Sequence, residues 1–156
     1  MRVVITRPQA DGERTAAELR ARGHEVLIAP LMLVEPVSAD LAGTWGAVII
    51  TSGNAAKAIA GNVAHDALVK VPLFAVGHRS AEAARQVGFT NVTSAGGDVD
   101  DLIRLVIERR ADENAPLLYL AGEDRAADLI GELTARGMAA EMRIIYRAVS
   151  APFPPL

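Results

Sequence analysis

Short runs of β-branched and other apolar residues alternate along this chain with Ala-rich amphipathic segments, separated by turns of glycine and small polar residues. A helix between successive strands returns the chain to the same end of the sheet, so this rhythm specifies parallel strands joined by crossover helices. The expected class is α/β. Val3-Val4-Ile5 reads as a buried strand, Asp11 as the cap of a helix carrying Ala16 and Leu19, Gly23 as its stop, and Val26-Leu27-Ile28 as a second strand. Pro30 and Pro36 then interrupt the pattern, and residues 31 to 40 read as an extended crossing linker.

After Trp45 the alternation restarts with strands at Ala47 to Ile50, Leu73 to Val76, Asn91 to Thr93, Leu117 to Leu120 and Arg143 to Val149. Helices are expected from Asn54 to Ala60, from Ser80 to Val87, after the cap Asp98, and from Arg125 to Arg136, with Gly88 and Gly137 as stops. Five strands with four intervening helices make a small doubly wound parallel sheet. The first two strands are surplus to it and read as a βαβ fragment of a second, similar domain. The expected division is residues 1–35 for the fragment with its linker, 36–149 for the complete domain, and 150–156 for a Pro-rich tail.

Composition removes several functions. With 51% hydrophobic and 22% charged residues the chain can bury a core, which excludes a disordered tail. One Trp, two Tyr and three Phe supply few stacking platforms, and a net charge of −3 gives no basic footprint, so neither nucleic acid nor an anionic membrane is an expected partner. Cysteine is absent, which excludes disulfides and thiolate chemistry. His24, His65 and His78 show no metal-ligand spacing, and no glycine turn forms a dinucleotide or nucleoside-triphosphate cradle. No metal and no organic cofactor are therefore expected. The N-terminal apolar run is too short for a signal peptide or a span, so the expected compartment is the cytoplasm.

Three strand ends carry small polar residues directly before a helix: Thr51-Ser52-Gly53-Asn54, Gly77-His78-Arg79-Ser80 and Gly122-Glu123-Asp124-Arg125. In a parallel sheet all three lie at the carboxyl edge, where backbone N–H groups and helix N-termini bind carboxylates or phosphates. Any β-to-α turn also uses these residue types for capping alone, so each turn by itself says little. Arg7 and Arg125 are candidate carboxylate clamps, against the ordinary alternative of solvated surface arginines. Tyr146, in the last strand beside Arg147, is a candidate proton or hydrogen-bond donor to a leaving oxygen, against a tyrosine that simply packs on the sheet.

The segments Val4 to Pro8, Gly23-His24-Glu25-Val26, Pro30-Leu31, Ile50 to Ala55, Val76 to Ala81 and Ile145-Tyr146-Arg147 follow one another in an order and spacing that resembles the uroporphyrinogen-III synthase family. The resemblance covers almost the whole chain. It implies two small α/β domains with an active site between them, and a lyase reaction of tetrapyrrole biosynthesis. Linear hydroxymethylbilane closes to uroporphyrinogen III, losing its terminal hydroxyl as water and inverting the last pyrrole ring, without metal or cofactor. The pyrroles supply the electron push, so the protein need only assist hydroxyl departure, hold the cationic and spiro intermediates, and fold the substrate. By motif, Tyr146 matches the family's tyrosine at hydroxyl departure, Ser52 its cleft serine, and Ser80 a position often held by threonine. Thr51, Asn54, Gly77, His78, Gly122, Arg7 and Arg125 complete the expected substrate-binding set.

Family members run longer, and the part without a counterpart here would supply strands of the first domain and one wall of the cleft. Implied partners are the linear tetrapyrrole, hydroxymethylbilane synthase in a transient encounter, and a second copy of this chain pairing through unsatisfied strand edges. The rival function is a catalytically incomplete tetrapyrrole- or anion-binding module. A receiver-like domain would need an acid pair after its first strand, where Thr6-Arg7-Pro8 stands, and a periplasmic binding protein would need a signal peptide.

Overall fold

The structure, a computed structural model, describes residues 2–5, 9–28, 32–110, 115–123 and 128–150. The chain divides into two compact units, Met1–Glu35 with Ala148–Leu156, and Pro36–Arg147. In the smaller unit β1 (Arg2–Ile5) and β2 (Glu25–Ile28) pair in parallel, with Arg2 opposite Glu25 and Ile5 opposite Ile28. Between them runs α1 (Gln9–Ala21), which packs on both strands and buries Ala16 completely. Asp11 lies inside α1 rather than capping it, because the helix begins two residues earlier than its apolar periodicity shows. At its end Gly23 adopts φ +84°, a conformation that a side chain would strain.

The larger sheet has six strands in the order β3 (Met32–Pro36), β8 (Ala140–Ser150), β7 (Leu117–Gly122), β4 (Ala47–Ile50), β5 (Leu73–Ala75) and β6 (Val92–Ser94). The five from β8 to β6 are parallel throughout, which is the doubly wound arrangement expected. The sixth is a correction. Residues 32–36, expected as a linker, form an edge strand, where Pro36 at its end costs no ladder hydrogen bond on the solvent side. Val37 continues the attachment by donating its N–H to the Ile145 carbonyl at 2.8 Å.

Alternation along the strands fills two apolar layers. Val48 and Ile50 of β4, Leu118 and Leu120 of β7, and Ile145 of β8 face α2 (Gly53–Ile59), α3 (His65–Leu68) and α4 (His78–Gln86). Ala47, Ile49, Leu117, Tyr119 and Ala121 face α5 (Val99–Arg110) and α6 (Leu129–Ala135). Helices α2 and α4 pack closely because their contact is built from small residues: a Cβ on Gly53 would stand 3.2 Å from that of Ala83. The four-residue α3 differs from expectation, being too short to show a helical period.

Helix starts also differ from expectation. Helix α4 begins at His78, so Ser80 is its third residue rather than its first, and α6 begins at Leu129 behind Asp128, whose carboxylate accepts from Gly131 N–H at 2.9 Å. The expected start of that last helix at Arg125 lies outside the described residues. Helix α5 has the cap expected: Asp98 accepts from the N–H of Asp101, and Asp101 accepts from the N–H of Asp98, both at 3.0 Å. That backbone donor, with the Arg104 guanidinium beside it, holds the Asp101 carboxyl below its ordinary value.

His65 joins α3 to the end of α4: its Nε2 lies 2.6 Å from the Val87 carbonyl and its Nδ1 3.1 Å from Asp66. The carbonyl first, and Asp66 second, raise its pKa above 6.5. Stability from the protonated ring is therefore complete below that value and is lost as pH rises through the folded-state pKa. The urea midpoint should fall as pH rises above 6.5 in the wild type, and His65→Leu should remove that part of the dependence.

Candidate functional site

In this strand order the direction of winding reverses between β4 and β7, so the crevice at their carboxyl ends is the natural binding position of the sheet. The register carries the expected residues to that edge. Ile50 pairs with Leu120 on one side and Ala75 on the other, and Gly122 pairs with Tyr146. Tyr146, Gly122, Thr51 and the Val76-Gly77 turn thus follow one another across β8, β7, β4 and β5.

Tyr146 reaches its position through a defect in the ladder. Ala121 pairs with Ile144 and Gly122 with Tyr146, so Ile145 is the extra residue of a β-bulge. Simple alternation would send Ile145 and Tyr146 to opposite faces. The bulge lets both pack against the layer beneath α2 and α4. The Tyr146 ring then covers Gly122, which is buried: a Cβ there would meet Cε2 and Cζ at 2.6 Å and the hydroxyl oxygen at 2.8 Å. Glycine leaves the room that the ring occupies. The backbone closes the arrangement, with Glu123 N–H donating to the Tyr146 carbonyl at 3.0 Å. Tyr146 itself is half-buried, and no described residue hydrogen-bonds its hydroxyl.

Ser52 is the N-cap of α2, in extended conformation, and its Oγ accepts from Asn54 N–H at 3.2 Å. A hydroxyl used as an acceptor keeps its proton to donate, so capping and ligand binding are compatible here. Asn54 is half-buried in the first turn of α2. Thr51, where β4 ends, is half-buried, and its Oγ1 lies 3.0 Å from the Tyr119 hydroxyl. Sequence reasoning passes over Tyr119 as one more apolar strand residue. The available signal is chemical: a tyrosine in the middle of a buried strand needs a partner for its hydroxyl.

Gly77 caps α4 in extended backbone at φ −147°, and a Cβ would meet nothing within 4 Å, so neither a positive φ nor close packing demands glycine. Gly77→Ala should leave stability within about 0.5 kcal/mol of wild type, which chemical denaturation would check. His78 and Arg79 are exposed in the first turn of α4, whereas Ser80 is 7% exposed. Arg7 and Arg125 lie outside the described residues. A separate cleft of about 510 Å³ opens between the N-terminal ends of α5 and α6, lined by Asp98, Asp100, Asp128 and Glu132 over Ile103 and Leu129. Four carboxylates make it the wrong sign for a polycarboxylate. Among the described residues no group of three metal-ligating side chains stands together, and no helix is long and apolar enough to cross a membrane.

Fold and rim together define a doubly wound α/β protein whose candidate site gathers hydroxyl and backbone N–H donors at the switch point of the sheet. The family model described as Uroporphyrinogen-III synthase HemD matches residues 13–155, and the chain belongs to that family. The fold is similar to the crystal structure of uroporphyrinogen-III synthetase from Helicobacter pylori 26695, at 19% identity and a TM-score of 0.62, covering 84% of this chain and 58% of that one. It is equally similar to a selenomethionine-labelled mutant uroporphyrinogen III synthase from the extremely thermophilic bacterium Thermus thermophilus, at 18% identity and a TM-score of 0.62, covering 97% of this chain and 64% of that one. The chain thus spans less than two thirds of these solved chains. Among curated protein sequences, none matches.

Proposed function

We propose that this chain carries the family's reaction, closing hydroxymethylbilane to uroporphyrinogen III with loss of water and inversion of the last ring. The observation that carries the proposal is Tyr146, seated over Gly122 at the carboxyl edge with its hydroxyl uncommitted to any described residue. A phenol so placed transfers its proton to the departing hydroxyl oxygen, which leaves as water while the adjacent pyrrole nitrogen supplies the electron pair, and the phenolate regains a proton when the closed ring loses one to restore its aromatic pyrrole. Thr51, Ser52 and the first turns of α2 and α4 hold the substrate's carboxylates, and Asn54, His78 and Ser80 extend that rim. Holding the chain folded determines which carbon is attacked, so the same contacts govern isomer choice.

The reading carries its partners with it: a linear tetrapyrrole passed on in a transient encounter with hydroxymethylbilane synthase, in the cytoplasm. A two-stranded parallel sheet such as β1–β2 is rarely stable alone, which favours a homodimer that pairs those edges. One observation favours a second reading, a binding module without turnover: the chain spans only 58% and 64% of the two solved chains. Feeding freshly generated hydroxymethylbilane to the chain and separating the uroporphyrin isomers decides between them. Excess type III supports the enzyme, whereas type I alone together with uroporphyrin binding supports the module.

A further inference from the structure

Tyr119 projects from the middle of β7 into the layer beneath α5 and α6 and is 4% exposed. A phenylalanine would fill the same space without a hydroxyl to satisfy. The hydroxyl instead reaches Thr51 Oγ1 at 3.0 Å, linking two strands whose positions are 68 residues apart. Thr51 is half-buried at the mouth of the switch-point crevice, and the next residue, Ser52, caps α2. The Tyr119–Thr51 bond therefore crosses the point at which the sheet reverses its winding.

Either hydroxyl can donate in this bond, and donor strength favours Tyr119. A phenol is a stronger donor than an aliphatic alcohol, and the alcohol oxygen is the better acceptor. With Tyr119 donating, the proton of Thr51 must point away from Tyr119, and its own donor capacity is strengthened by the bond it receives. We propose that Tyr119 is a positioning residue that fixes Thr51 as an outward-pointing hydroxyl donor for a carboxylate of the tetrapyrrole bound at the β4–β7 crevice. The proposal rests on the functional reading above, and it adds a residue behind the rim that touches no ligand itself.

The test is a fluorescence titration of the whole chain with uroporphyrin III, a stable octacarboxylic porphyrin, using wild type, Tyr119→Phe, Thr51→Val, Thr51→Ser and the Tyr119→Phe/Thr51→Val double variant. Urea unfolding of each identifies the conditions in which all are folded. Thr51→Val should weaken binding about tenfold, and Tyr119→Phe about threefold or more. The double variant should bind as Thr51→Val does, because Tyr119 acts only through the Thr51 hydroxyl. Thr51→Ser, which keeps that hydroxyl, should bind within about twofold of wild type. A purely structural role for Tyr119 would instead make the two losses multiply, and that result overturns the proposal. So does wild-type affinity in Tyr119→Phe. A wild-type chain that binds no uroporphyrin overturns the carboxylate-rim reading and this proposal with it, an outcome distinct from the other two.

Discussion

Gly122→Ala is expected to cut type III ring closure about a hundredfold, the scale of loss that follows misplacement of a reacting group by an ångström. The added Cβ would stand 2.6 Å from two ring carbons of Tyr146, well inside contact distance. Neither side yields easily: Gly122 is held in the β7 ladder, and Tyr146 is held in β8 by the bulge and by Glu123 N–H on its carbonyl. The ring must therefore leave its seat. Overpacking of this kind also costs about 1–3 kcal/mol of stability, visible as a lower urea midpoint. A variant that keeps wild-type turnover would show that the seat of Tyr146 over β7 is irrelevant to the chemistry.

Tyr146→Phe should lower the rate by about a hundredfold or more, the usual contribution of a positioned proton donor. Its effect on folding should be much smaller. No described residue hydrogen-bonds the hydroxyl, and the ring's packing is retained, so stability should stay within about 0.5 kcal/mol of wild type. Separating the two effects identifies chemistry rather than collapse. Combining both substitutions supplies a further check: if Gly122→Ala acts only by moving the Tyr146 hydroxyl, the double variant should be little slower than Tyr146→Phe alone. Multiplying losses would mean that Gly122 serves the reaction by another route.

Much of this arrangement is legible in the residues because each local pattern agrees with the fold. The apolar runs at Ala47–Ile50 and Leu117–Gly122 are fully buried strands at the centre of the sheet, where both faces need apolar side chains. Asp98 is readable as a cap because the residues that satisfy it lie within one turn. Residues 32–36 read as a linker because proline argues against a strand in general but not at an edge. The starts of α4 and α6 are displaced because turn residues and first-turn helix residues are the same types.

The site is readable in its residue types and not in its geometry. Thr51-Ser52-Gly53-Asn54 announces a donor-rich turn by composition alone. That Thr51 is bonded to Tyr119, and that Tyr146 rests on Gly122, depends on which strands become neighbours, which no local window contains. The bulge is the clearest instance. Strict alternation would place Tyr146 on the face opposite Ile145, and only the register slip against β7 brings it to the α2 side.

Ring closure directed from the carboxyl edge of the larger sheet would show itself in the isomer that forms. The most direct measurement is the type III fraction of uroporphyrin formed from freshly generated hydroxymethylbilane as the concentration of the chain is raised, with Tyr146→Phe run in parallel. The type III fraction should climb with wild-type protein and climb far less with the variant. A product that stays type I at every concentration of folded wild-type chain would mean that this site does not direct ring closure.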